Sequence, residues 1–114
     1  MHMMDWNGYR DQVLQGVSEI GHISPDITRG YATIGGAGKK TNHLDEKTRE
    51  LIAAACAITL RCDGCISVHT KAALAAGATR EELAEALGVA IGLNAGAALV
   101  YSTRAMDAYA AAAE

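Results

Sequence analysis

Phenylalanine is absent from this chain, and aromatic residues of every kind make up only 4% of it. Half of its 114 residues are nonetheless apolar, many of them alanine. A core drawn from such residues has many close contacts and few large anchors. The expectation is one domain over residues 1–114, built of helices that approach closely, with subunit association burying further surface. No apolar stretch reaches about 18 residues without polar interruption, so no transmembrane helix is expected. The opening Met1-His2-Met3-Met4-Asp5-Trp6 lacks the charged segment and apolar run of a secretory signal. The expected location is therefore cytoplasmic. Ten Lys and Arg against thirteen Asp and Glu give a net charge of −3, and no basic stripe is visible. That balance argues against nucleic acid and anionic membranes as partners.

Strand signals are nearly absent as well, no segment repeats at a fixed period, and the punctuation is helical throughout. Val13, Leu14, Val17 and Ile20 give Trp6 to Ile20 a helical pattern. Ser24-Pro25 reads as an N-cap followed by proline at the first helical position. A second helix is expected over Ile27 to Ile34, ending in Gly35-Gly36-Ala37-Gly38, with Lys39 to His43 as a loop. Asp45 caps a third helix running to about Arg61, with Leu51, Ala54, Ala55 and Ile58 on one side. A fourth starts near Cys62 and stops at Gly77, a residue that tolerates positive φ. Thr79 and Glu82 form a capping box for a fifth. That helix is expected to break or bend around Asn94-Ala95-Gly96 before a last segment to Tyr109. Gly88, Gly92 and Gly96 recur every four residues and would let another backbone lie close. The fold class is all-α.

Cysteine is scarce too, at three residues. An odd count in a reducing compartment, with two thiols close together, points to catalysis or metal binding over a structural staple. A bridge closing four residues would remove only roughly 2 kcal/mol of unfolded-state entropy.

The thiols lie in Cys62-Asp63-Gly64-Cys65-Ile66-Ser67-Val68-His69, with Glu50 twelve residues before Cys62. With Cys62 at 0° on a helix, Cys65 falls near −60° and His69 near −20°, so all three share a face. Cys65 and His69 are also four apart, the spacing at which helical side chains meet. If Cys62 opens the helix, its sulfur faces unpaired backbone N–H groups and the positive end of the dipole. An ordinary thiol is only a few per cent ionised at neutral pH, and a nearby base or helix terminus makes it a nucleophile. Glu50 would orient the imidazole if it reached His69, although a solvated glutamate on the helix surface is the commoner role. The dipole favours Cys62 as the attacking thiol, while the spacing to His69 favours Cys65.

Other readings are set by spacing. Haem attachment needs histidine directly after the second cysteine, where this chain has Ile66. A thioredoxin-like site needs a strand–helix context. A structural zinc site wants four ligands, so Cys56 or His43 would have to join Cys62, Cys65 and His69. Cys56, within Ala-Ala-Ala-Cys-Ala-Ile, reads as a small buried hydrophobe. His43 is expected at the surface, His22 has no visible partner, and Tyr101 and Tyr109 read as packing residues.

Glu50, eleven residues, then Cys62-x-x-Cys65-x-x-x-His69 resembles the signature of the alkylhydroperoxidase D-like group within the carboxymuconolactone decarboxylase superfamily. Leu44 to Ile52 before the motif, and His69 to Ala72 and Gly77 to Glu82 after it, agree with it. The likeness covers about residues 44–109, and residues 1–43 match only in helical character. The resemblance implies a helical bundle in which the cysteines begin a core helix, with trimeric or hexameric subunits. It also implies peroxidase or disulfide-reductase activity: Cys65 attacks a hydroperoxide, Cys62 resolves, and His69 with Glu50 relays protons. No cofactor is implied, and a lipoylated or thioredoxin-like dithiol protein would be the reductant.

The chain departs from the group at Gly64, where the characterised peroxidase has histidine, and it lacks the additional helical half of larger members. The name-giving decarboxylases generally lack paired thiols, which argues against lactone decarboxylation. Two rivals remain for the structure to address. One is a non-redox, decarboxylase-like enzyme using His69 and Glu50 as acid and base. The other is a zinc-binding or redox-sensing oligomer.

Overall fold

A computed structural model describes residues 1–114 as five helices without a strand, so the chain is all-α as expected. Helix α1 (Trp6–Ile23) starts where the Asp5 carboxylate accepts the Gly8 N–H at 3.1 Å. Ser24 closes α1 and opens α2 (Pro25–Thr41) with proline at the first position, but its side chain makes no capping hydrogen bond. Helix α2 continues through the glycines to Thr41, overturning the expected stop near Ile34 and the Lys39–His43 loop.

The reason lies outside α2. The Arg49 guanidinium, from the first turns of α3 (Glu46–Leu60), donates to the Gly38 carbonyl at 3.3 Å, to Asn42 Oδ1 at 3.1 Å and to the Leu44 carbonyl. A Cβ at position 38 would lie 2.8 Å from Arg49 Cδ, so glycine there makes room for the anchor. Asn42 then ends the helix in the left-handed conformation, φ 53°, with Lys39 and Lys40 at the negative end of the dipole.

Asp45 caps α3 by accepting the Thr48 N–H at 2.8 Å, and Thr48 thereby holds the Asp45 carboxyl below its ordinary range. Arg61 turns left-handed (φ 54°) to end α3, and Cys62 starts α4 (Asp63–Ala75) at once, folding it back along α3. Gly77, at φ +90°, ends that hairpin. The Thr79–Glu82 capping box forms with both bonds, 2.9 and 3.0 Å, and opens α5 (Arg80–Ala112). Glu82 also pairs with Lys47 at 2.7 Å, tying the start of α5 to the start of α3. The pairing pushes the Lys47 ammonium up and the Glu82 carboxyl down from their ordinary values.

Helix α5 does not break at Asn94. The amide of that residue donates to the Ala90 carbonyl at 2.7 Å and to Thr59 Oγ1 on α3 at 2.9 Å, so the side chain is satisfied without disturbing the ladder. At 33 residues, with a mean hydropathy of 1.7 in its most apolar stretch, α5 is long and apolar enough to cross a membrane by length and composition alone.

Helix α3 is central, packing on both α4 and α5, while α1 packs on α4 and α2 on α1. Only Ala54, Ala57, Ser67, Ala73 and Ala90 are buried. Small side chains at this seam let three backbones approach closely, as the composition suggested. Three local expectations fail. Cys56 is exposed. Tyr101 and Tyr109 are 69% and 77% exposed rather than buried in packing, and the Arg104 guanidinium lies over the Tyr101 ring, 5.3 Å from its centroid. Cβ atoms built at Gly88, Gly92 and Gly96 would meet nothing within 4 Å, because no other helix of the chain reaches that face.

Candidate active site

The α3–α4 hairpin assembles the motif. Cys62 is the N-cap of α4 and its Sγ accepts the Cys65 N–H at 3.2 Å. Such a bond stabilises negative charge on that sulfur whenever it is released as thiolate. Cys62 and Cys65 are joined as a disulfide with their Cα atoms 5.2 Å apart, a separation native bridges adopt. One helical turn beyond Cys65, His69 turns toward α3, and its Nδ1 lies 2.7 Å from Glu50 Oε2. A carboxylate only accepts, so Nδ1 carries the proton and Nε2 is left as the basic nitrogen. Glu50 thus reaches His69 across nineteen residues of sequence, the one link the spacing alone could not supply.

The dithiol is half-buried, at the side of a groove that stays open to solvent. Cys62, Gly64, Cys65 and His69 line a cavity of about 460 Å³ walled by Val13, Leu14, Val17 and Ile20 of α1, Ile27 and Tyr31 of α2, and Val68. Glu50 lies behind the imidazole, outside that lining. A Cβ at position 64 would sit 3.5 Å from Val13. Alanine would fit there in ordinary van der Waals contact.

Helix α1 is held over the site by two residues that the sequence reading did not single out. Arg10 Nε donates to the Ser67 carbonyl at 2.6 Å, and Ser67 Oγ donates to the Gly64 carbonyl at 2.8 Å. Ser67 is the one buried polar residue. A lone arginine in an amphipathic helix gave no signal of this bond, because its acceptor is a main-chain carbonyl. The apolar walls from α1 and α2 were legible only as helical pattern.

No group of three or more His, Cys, Asp and Glu side chains is arranged to hold a metal ion. The fourth ligand that zinc would require is not brought in: Cys56 lines a different groove, between α3 and α5, and His43 is exposed beyond α2.

Residues 25–114 match the family described as Carboxymuconolactone decarboxylase family. The match starts at the first residue of α2, so it extends beyond the 44–109 region marked by the motif. An uncharacterised protein of Haemophilus influenzae is 47% identical over 105 residues, 92% of this chain and 93% of its own length. The "Uncharacterized protein 4 in cox locus" of Paracoccus denitrificans is 43% identical over 63 residues, 55% of this chain and 57% of its own. Among solved structures, an apo carboxymuconolactone decarboxylase family protein from Legionella pneumophila superposes with a TM-score of 0.74 at 33% identity, covering 86% of this chain and 88% of that one. A protein from Methanobacterium thermoautotrophicum gives 0.66 at 34% identity over 72% of this chain and 92% of its own.

Proposed function

We propose that this chain, which belongs to the carboxymuconolactone decarboxylase family, is a dithiol peroxidase that reduces hydroperoxides and is itself reduced by a second dithiol. The observation that carries the reading is the Glu50–His69 hydrogen bond standing behind a bridged Cys62–Cys65 pair at the wall of one apolar cavity.

The cycle starts from the reduced pair. His69 Nε2 takes the Cys65 thiol proton, and Glu50 balances the positive charge through Nδ1. The Cys65 thiolate attacks one peroxide oxygen. The O–O bond breaks, its electron pair leaves with the other oxygen, and that oxygen takes the proton from His69 to become an alcohol. Cys65 is left as a sulfenic acid. Cys62 then attacks the Cys65 sulfur, the S–O bond breaks, hydroxide takes the Cys62 proton and departs as water, and the disulfide forms.

An external dithiol, of the lipoylated or thioredoxin-like kind, restores the thiols by exchange. When it attacks Cys65, the leaving group is the Cys62 thiolate, which the Cys65 N–H stabilises. This favours Cys65 as the sulfur that meets both substrates and Cys62 as the resolving one. Turnover of several hydroperoxides with a panel of dithiol reductants tests the reading. Peroxide-dependent oxidation of the reductant that disappears in Cys65→Ser supports it, and equal activity in that variant refutes it.

A further inference from the structure

We infer that the cavity between α1, α4 and the start of α5 is a binding site for a small phosphate monoester with an apolar body. The cavity holds about 440 Å³, within the roughly 300–1,000 Å³ of small-molecule sites. Three cationic side chains line it, one from each helix: Arg10, Lys71 and Arg80. No carboxylate does. Ten Lys and Arg against thirteen Asp and Glu make the whole chain acidic, so three cations round one cavity run against its overall balance. A cleft lined by one sign of charge concentrates the opposite ion.

The surrounding sequence leaves these cations uncompensated. On a helix, the residues three and four away are the neighbours that pair. For Arg10 they are Trp6, Asn7, Val13 and Leu14; for Lys71, Ser67, Val68, Leu74 and Ala75; for Arg80, Leu83 and Ala84. None is acidic, whereas Arg29 has Asp26 at that spacing and pairs with it. Asp11 and Glu81 follow Arg10 and Arg80 directly, and so project about 100° away round their helices. Glu82 is engaged with Lys47 and with the Thr79 N–H. The ion pairs of the chain are Asp26–Arg29, Lys47–Glu82 and Glu50–His69, and none includes the three cations.

Arg10 keeps donors free for a ligand. Its Nε is bonded to the Ser67 carbonyl and one terminal nitrogen to Asn7 Oδ1 at 2.9 Å, while the other terminal nitrogen has no partner within the chain. The half-buried guanidinium is therefore already held in place, which lowers the ordering cost of gripping an oxyanion. The rest of the lining is largely apolar, with Ala73, Leu74, Ala78 and Leu83. Leu74 is 73% exposed, and an apolar body laid on it would take that surface out of water. A phosphate monoester carries close to two negative charges at neutral pH and matches three cations better than a single carboxylate does. The cavity shares no residue with the lining of the dithiol cavity, so the site stands apart from the proposed peroxide chemistry.

Phenyl phosphate, titrated into the full chain by calorimetry, is the probe. It should bind saturably, one per chain, and more tightly than inorganic phosphate, benzoate or phenol. Lys71→Gln and Arg80→Gln, at exposed positions, should each weaken it by about tenfold or more through loss of a charge-assisted contact, with helix content unchanged by circular dichroism. Lys39→Gln/Lys40→Gln, which removes two cations at the end of α2, should bind as the wild type does. Amide shifts in the wild type should concentrate at Thr70 to Leu74 and Ala78 to Leu83, a readout that needs no variant to fold. Cys62→Ser and Cys65→Ser should bind equally well, so a failed peroxidase reading leaves the site standing. Absence of saturable binding at millimolar phenyl phosphate, phenol binding as tightly, equal affinity in the Lys71 and Arg80 variants, or shifts centred elsewhere would each overturn it.

Discussion

Glu50 on α3 and His69 on α4 share a 2.7 Å hydrogen bond that fixes which imidazole nitrogen is free to accept a proton. Breaking it should disturb proton transfer before it disturbs the fold. His69→Ala is expected to lower peroxidase kcat/KM by about 10²–10⁴-fold, the usual range for a lost general base. Glu50→Gln should cost less and should alter the pH profile. Rates measured from mildly acidic to mildly alkaline pH check this, with circular dichroism showing that helix content is retained. An unchanged profile in Glu50→Gln would mean that the bond is structural only.

The two thiols should separate in single-turnover chemistry. Cys62→Ser retains Cys65 and should accumulate one sulfenic acid per chain on treatment with hydroperoxide, read by a dimedone-type probe and mass spectrometry. Cys65→Ser should accumulate none at the motif. The reverse pattern would move the attack to Cys62, the helix N-cap. Full steady-state activity on a non-peroxide substrate in both variants would favour the decarboxylase-like alternative.

The Lys47–Glu82 pair gives a pH window. The Glu82 carboxyl is lowered from 4.5, first by Lys47, so its contribution is present above that value and lost as pH falls through the lower folded-state value. The Lys47 ammonium is raised from 10.5, first by Glu82, so its contribution holds below that value and fades as pH rises through the higher one. Lys47→Met should therefore lower Tm slightly near neutrality and hardly at all in strong acid. Both side chains are about one-third exposed, so water and ions reach the pair and added salt should shrink the difference.

At the seam of α3, α4 and α5, the buried alanines leave no room for a longer side chain. Ala57→Leu should destabilise by about 1–3 kcal/mol through overpacking, measured by urea unfolding. The same change at exposed Ala97 should have little effect on unfolding.

The sequence by itself determined what depends on neighbours within a few residues. Asp45, Thr79, Glu82 and Gly77 fix helix ends through local hydrogen bonds and local dihedral angles, and a 3.6-residue period puts Cys62, Cys65 and His69 on one face. Tertiary structure decided the rest, because long-range pairing depends on where helices cross. Alanine-rich surfaces, having few distinctive side chains, do not encode those crossings in any local pattern. Only packing brought Glu50 to His69, laid α1 across Gly64 through Arg10 and Ser67, carried α2 past its glycines to Arg49 and kept α5 unbroken through Asn94. Packing also left Cys56 in the open, on the wall of the groove between α3 and α5.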